Sequence, residues 1–418
     1  MTHRERLKKA LNHQQPDRVP IDFGSTAVTG IHVAAVTRLR RAILKDDAWR
    51  VKVIEPYQML GEIDPELQDA LGIDVAGLMT RKNLFAFENR DWKPFHLIDG
   101  TEVLVPGDFI TTPAPDGGHY IYPEGDTSVP PSGHMPATGW FFDTIVRQPP
   151  IDEDKLDPND NLEEFGLLGA EDLAYYRNQA IELEKNDRGI CLTMPGTAFG
   201  DIALVPAPFL KNPKGIRDIT EWYVSTVARR DYVRAIFEKQ CELGLQNIKT
   251  LAGILGDRVD AVFFTGTDFG TQNGLFISPD DYRDLFKPFH VQINECFHKH
   301  TTWKTFIHSC GAVAELIPEF IDAGFDILNP VQCSACGMDP RMLKREFGKD
   351  LTFWGGGANT QKTMPFGTPD EVYRETRERI EIFGEGGGFV FDAVHNIQAN
   401  TPTDNMVAMF QALKDSGK

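Results

Sequence analysis

Short apolar runs alternate with longer stretches of helical periodicity along most of the chain, and this alternation predicts the architecture. The opening MTHRERLKKALNHQQ is helical in pattern and stops where Pro16 and Pro20 intervene. VPIDFG then reads as a short buried strand, Val19 to Phe23, closed by Gly24. Helical patterning follows in AAVTRLRRAILK, and a second apolar strand is expected in GIDVAGLM, with Asp74 inside it. Further strands are expected in GICLTMPG, RVDAVFFTG, WKTFIHSCG, FDILNPV, LTFWGGG and GGFVFDAV, with helical patterns between them. No hairpin signal separates these later six, so parallel pairing through helical crossovers is the economical arrangement. Eight units predict an α/β fold, a (β/α)8 TIM barrel forming a single domain over residues 1–418. An open doubly wound sheet is the weaker rival, because no GxGxxG follows its first strand.

The pattern changes between about residues 91 and 143. There apolar and polar residues alternate and Gly and Pro are dense, which predicts β-hairpins and an ordered loop inserted between barrel units. Phe142, Trp140, Tyr120 and Tyr122 would suit a lid over an apolar ligand, although packing within the hairpins is the commoner use of such residues.

Composition narrows the function. A chain of 418 residues, 41% apolar, can bury a large core, and its net charge of −18 disfavours nucleic acid or an anionic membrane as partner. No run approaches the roughly 20 apolar residues of a membrane span, and the charged start lacks the apolar core of a signal peptide. A cytoplasmic location is the expectation, with the six cysteines reduced. Closely set Cys and His groups then point to metal or redox chemistry before disulfides.

In a parallel barrel the active site lies past the C-terminal ends of the strands. Polar residues gather at those places: Asp268 and Gln272, then His308 and Cys310, then Asn329, Gln332, Cys333 and Cys336, and finally Asp392, His395, Asn396 and Gln398. His308 and Cys310 stand two apart, so at an extended strand end both side chains project to one face. Imidazole and thiolate so placed can share a tetrahedral metal. The third ligand could be His395, Cys333 or a carboxylate such as Asp268. The plain alternative is a hydrogen-bonded core histidine beside a small apolar cysteine.

Cys333 and Cys336 form a CxxC without a second such pair, so loop packing is the simpler reading, with Cys333 a minor candidate ligand. Asp74, inside an apolar strand, requires a partner or a function. Asp268 sits in a Gly-flanked loop, where an Asx turn competes with a catalytic role. The GGG run at 355–357 permits close backbone approach, but no GxxxxGK[ST] supports a phosphate cradle.

Four segments together carry a resemblance: RERLKKALNHQQPDRVPIDFG, LFISPDDYRDLFKPF, the IHSCG strand end, and GGGFVFDAVHNIQANTPTDNM. They resemble the uroporphyrinogen decarboxylase-like superfamily, whose fold is a (β/α)8 barrel. True decarboxylases carry an arginine-rich RQAGRY-type segment after the first strand; here that place reads GSTAVTGIH, without arginine. A polycarboxylate substrate would lose its anchors, so that activity is the runner-up, although Asp74 falls where the decarboxylases have an aspartate. A metal-binding scaffold without catalysis is the third reading.

The other branch, the corrinoid-linked methyltransferases, often holds zinc through an HxC pair and a later Cys. His308-Ser-Cys310 matches the pair, while His395 stands where the later Cys is expected. The resemblance thus implies a zinc-dependent methyltransferase with His308, Cys310 and His395 as ligands. Asp268 or Asp74 would manage protons, and Gln272, Asn329, Gln332 and Asn396 would line the substrate site. It also implies a separate corrinoid (cobalamin) protein as partner, since the chain lacks the Asp-x-His-x-x-Gly pattern of a cobalamin-binding domain. Barrels of this kind are often dimers, so a homodimer is among the expected assemblies, though no interface is legible.

Overall fold

Seven parallel strands curl into one sheet whose pairing order is the order of the chain. This is a computed structural model, and it describes residues 1–417. The barrel strands are β1 (Val75–Leu78), β2 (Gly189–Thr193), β3 (Ala261–Thr265), β4 (Lys304–His308), β5 (Ile327–Asn329), β6 (Thr352–Trp354) and β7 (Phe389–Val390). Helices fill the crossovers, among them Ala170–Leu183, Arg230–Leu255, Lys287–His300, Pro340–Phe347 and Pro369–Gly384. All these strands fall within the segments that the apolar pattern predicts.

The eighth strand, expected at Val19–Phe23, is a single parallel bridge between Ile21 and Phe391. Its place in the barrel is nevertheless filled. The Asp22 N–H donates to the Phe391 carbonyl (2.9 Å) and the Asp74 N–H to the Ile21 carbonyl (2.8 Å), joining β7 to β1. A longer ladder fails for two local reasons: Pro20 has no N–H, and the Ile21 N–H donates to the Asp74 carboxylate (2.8 Å) instead.

One end of the barrel is plugged. Helix α1 (His3–Leu11), started by a Thr2/Glu5 capping box, inserts Leu7 and Leu11 among inward residues of all seven strands. Val75, Cys191, Ala261, Phe306, Ile327, Trp354 and Val390 complete that apolar cluster. Gly189 at the start of β2 is required by the plug, since a Cβ there would stand 2.2 Å from Leu7 Cδ2.

Asp74 belongs to this plugged end. It immediately precedes β1 and is fully buried, so it lies at the opposite end from the mouth. Its carboxylate takes ion pairs from Arg6 (2.6 Å), Arg18 (2.6 Å) and His3 (2.7 Å). The catalytic role expected for Asp74 is therefore withdrawn: its charge is fully matched by groups that fasten the N-terminal segment to the barrel.

The insertion forms a hairpin of Lys93–His96 with Glu102–Val105, then a four-stranded antiparallel sheet spanning Thr111 to Thr144. Phe142 packs edge-on against Phe85 (5.9 Å) and Phe109 (5.8 Å), and the Tyr122 hydroxyl meets Thr112 (2.7 Å). These aromatics pack the insertion together and against Phe85, and Trp140 meets His32 edge-on (5.7 Å), so they fasten the insertion to the rest of the chain. No helix among the described residues is long and apolar enough to cross a membrane.

Asp74→Ala is expected to lower the free energy of unfolding by about 3–5 kcal/mol, because it strands buried cations. Burial pushes the Asp74 carboxyl up, but the His3 hydrogen bond and the Arg18 and Arg6 charges outweigh it and leave its pKa lowered. The stabilisation is thus present above the unfolded pKa of about 3.9 and lost as pH falls through the lower folded value. Urea unfolding from pH 7 to pH 2 should show that loss in the wild type and not in the variant.

Candidate metal centre

His308 is the last residue of β4, one inward position above Phe306 of the apolar cluster. Past it the chain must turn at once. Gly311 adopts φ +87°, and a Cβ there would stand 2.5 Å from the Gly270 carbonyl, so glycine is needed to bring the β3 and β4 loops together. The Asp268 carboxylate accepts the Cys310 N–H (2.7 Å), and the Gln332 side-chain oxygen accepts the Gly311 N–H (2.9 Å). Ser309 Oγ accepts the Phe269 N–H (2.9 Å). The turn is held from three sides.

The turn sets Cys310 Sγ 3.3 Å from His308 Nε2. His395, from the loop after β7, brings its ring to 5.1 Å from that of His308. One ligand atom from each of His308, Cys310 and His395 lies within 4.8 Å of the others. Among the described residues this is the group of three or more His, Cys, Asp or Glu side chains suited to an ion.

Asn329 fixes the tautomer of His308. Its amide nitrogen donates to the Trp354 carbonyl (2.8 Å), so its oxygen faces the imidazole and accepts from Nδ1. Nε2 therefore keeps its lone pair toward Cys310, the arrangement in which a second-layer group aims a metal-binding histidine. His395 is less prepared. It sits at φ +66°, and its Nδ1 accepts the Asn396 N–H (2.7 Å). A metal held through Nε2 would require the proton to move to Nδ1 and that bond to break.

The electrostatics suit a cation. Burial holds His308 down to about 4, with the Asn329 hydrogen bond pulling the other way. Burial, followed by His308, holds His395 down to about 3. Both imidazoles are thus neutral ligands at ordinary pH. Burial first, then Asp268 and Asp201, pushes the Cys310 thiol well up. Two neutral imidazoles, a thiol and the Asp268 carboxylate (3.9 Å from His308 Nε2) form a donor set without a positive charge of its own. A zinc ion fits it and would favour the thiolate.

The remaining predicted residues divide. Asp268 lies at the centre, 24% exposed, with burial raising its pKa. Asn329, Gln332 and Asn396 do not present themselves as substrate contacts. Gln332 donates to Gln272 Oε1 (2.8 Å), and Gln272 Nε2 donates to the Ser334 carbonyl (2.7 Å). Asn396 accepts the Gly30 N–H (2.5 Å) and donates to Ala27 (2.9 Å) and Gln58 (2.8 Å). All four amides brace the loops that carry the ligands. Cys333 is outside the ligand group and stands beside Gly356, its thiol pushed up to about 12 by burial.

Asp201 was not anticipated. Burial and then Asp268 raise its carboxyl to about 7. It follows β2 in the run TAFGD, so the rule that reads polar residues past strand ends would have found it had it been applied to the third strand. Tyr223, whose hydroxyl donates to the Asp268 carbonyl (3.4 Å), carried no sequence signal because it lies on a crossover helix.

The Uroporphyrinogen decarboxylase (URO-D) family model matches residues 217–416, a span that contains His308, Cys310 and His395. A curated relative, the methylated-thiol–coenzyme M methyltransferase of Methanosarcina mazei, is 28% identical over 145 residues. That stretch covers 34% of this chain and 34% of the relative, so the chain spans about a third of the length of the curated protein it matches. A solved methyltransferase from Methanosarcina mazei superposes with a TM-score of 0.54 at 16% identity, covering 99% of both chains, and so shares the fold. Residues 217–416 of this chain thus match the uroporphyrinogen decarboxylase family, and the chain as a whole shares its fold with a solved methyltransferase.

Proposed function

We propose that this protein is a zinc-dependent methyltransferase that moves a methyl group between a small methylated donor, or a thiol acceptor, and a corrinoid-carrying protein. The observation that best supports this is the convergence of His308, Cys310 and His395 within 4.8 Å at the strand ends. The relative whose name records methyl transfer from methylated thiols supports the reaction class. Methoxyaromatics and methylamines are the other donor classes to be tried.

Zinc bound by the three side chains supplies Lewis-acid stabilisation of a thiolate or of a leaving group. The chain's own residues set the stage for it. Asn329 aims His308, and Asp268 holds the Cys310 backbone while its raised pKa lets it carry or take a proton near the reacting atom. The plugged lower end excludes water from beneath, leaving the mouth as the side from which the corrinoid protein would approach. A cytoplasmic setting, where thiols stay reduced, suits the six unpaired cysteines.

Metal analysis of the purified protein should find stoichiometric zinc, and His308→Ala or Cys310→Ala should abolish it. Asn329→Ala should weaken zinc about 10–100-fold in competition with a chromophoric chelator. Absence of zinc from freshly prepared wild type would remove the metal from the mechanism.

Methyl transfer should appear only when cobalamin or a corrinoid protein is supplied. Spectra following cob(I)alamin as it becomes methylcobalamin, over methylated thiols, methoxyaromatics and methylamines, will measure it. Silence with every donor, together with CO2 release from a tetrapyrrole acid, would transfer the assignment to a decarboxylase.

A further inference from the structure

Of the three side chains in the ligand group, His395 is the one that the barrel strands do not hold. His308 ends a paired strand, and Cys310 follows it in a turn fixed from three sides. By contrast, β7 pairs only as far as Val390. On that side the last bonds run between Val394 and the β6 loop, at Ala358 and Thr360. His395 then stands at φ +66°, a left-handed conformation that a residue with a side chain keeps only when its surroundings impose it.

Those surroundings are residues 27–38. The Ile397 N–H donates to the Gly30 carbonyl (3.0 Å), and the His32 N–H donates to the Ile397 carbonyl (2.9 Å). Asn396 holds Gly30 and Ala27 through its side chain. Arg38, on helix α2 (Val33–Leu44), donates to the carbonyls of Ala399 (2.5 Å) and Thr401 (3.0 Å).

The insertion closes on the same residues by two routes. His32 caps α2, its Nδ1 accepting the Ala34 N–H (3.1 Å), so its Nε2 carries the proton and donates it to the Trp140 carbonyl (2.8 Å). The ring is buried, and the edge of one aromatic meets the face of the other. The second route starts where the Phe142 N–H donates to the Tyr57 carbonyl (2.9 Å); the next residue, Gln58, accepts from the Asn396 amide (2.8 Å). The insertion's first hairpin is tied to the same segment, the Leu104 N–H donating to the Val51 carbonyl (2.9 Å). The two routes meet at Asn396 and Ile397, directly after His395.

We infer that the insertion is a clasp for His395, closed on His32, and that His32 is a positioning residue for the third metal ligand. The inference rests on the metal reading of His308, Cys310 and His395. The bond from the Asn396 N–H to His395 Nδ1 is local to those two residues and opens for coordination whether or not the clasp is closed. The clasp fixes the backbone from which the ring is presented. A ligand held in this way loses less freedom on binding. By linkage, an ion on His395 tightens the clasp in return.

His32→Asn tests this, since asparagine still caps α2 but is too short for the Trp140 carbonyl. Hydrogen exchange of the metal-free protein, read by mass spectrometry, should become faster in residues 394–401 and 138–143 and stay unchanged in α2. Competition with a chromophoric chelator should show zinc affinity lowered about tenfold. Zinc loading of the wild type should slow exchange at 138–143, and the variant should lose that response, which a merely structural contact would not transmit. Gln58→Ala, on the second route, serves should the first variant not fold. Unchanged exchange at 394–401 in the metal-free variant would overturn the clasp. An unchanged zinc affinity, or no response to zinc at 138–143 in the wild type, would overturn the positioning role. A wild type that takes up no zinc removes the metal reading, and the metal-free exchange then decides the clasp by itself.

Discussion

The structure depends on one buried carboxylate. Seven parallel strands leave two open edges, and unpaired strand edges are poorly tolerated inside a closed core. The residues that seal them, Pro20 to Asp22, are too few and too proline-limited to form a strand by themselves. Asp74 supplies what the ladder cannot. Its backbone N–H pairs with Ile21, its side chain accepts the Ile21 N–H, and its charge anchors Arg6, Arg18 and His3. Helix α1 is thereby held with Leu7 and Leu11 in the barrel floor. Once the floor is packed, the inward positions above it can be polar.

The same alternation that fills the floor builds the site. Each strand places a side chain inward every second residue, so the position after Phe306 is His308, and the position after Val390 is Asp392. Bringing His308, Cys310 and His395 together therefore needs few additions to the barrel: a strand end, a glycine turn that returns Cys310 to His308, and a last loop that supplies His395. Precision comes from the amides around them. Asn329 reads the Trp354 carbonyl on one side and the imidazole on the other, so the orientation of a strand is transmitted to a ring nitrogen.

Much of this was legible in the sequence because periodicity reports burial. All seven barrel strands and the HxC pair could be placed from apolar runs and spacing, and His395 followed from its position in the resemblance. What periodicity does not report is the partner of a polar side chain. Asp74 looked chemical because a lone carboxylate in an apolar run is costly, and its compensation came from His3, 71 residues away in sequence. Asn329, Gln332 and Asn396 stood where substrate contacts belong, yet their bonds run to backbone and to neighbouring side chains such as His308, Gln272 and Gln58. The bridge at Ile21 was read as a strand because hydrophobicity cannot show that an N–H has another acceptor.

The contrast between the two ends sharpens the functional argument. Asp74 and Asp392 are the same residue type, both fully buried in the barrel wall. Asp74 has two guanidinium groups, a histidine and a backbone amide, so its pKa falls and its environment is complete. Asp392 has an acid beside it and only the Ala393 backbone to favour its charge, and burial drives its pKa well up. Folding alone gives no reason to keep an uncompensated carboxyl, since an apolar residue of similar volume would be more stable there. Groups left electrostatically incomplete by the fold cluster where a ligand completes them. By that criterion the floor of the barrel is structural, and the mouth above it, where His308, Cys310 and His395 converge, is the end left open to a ligand.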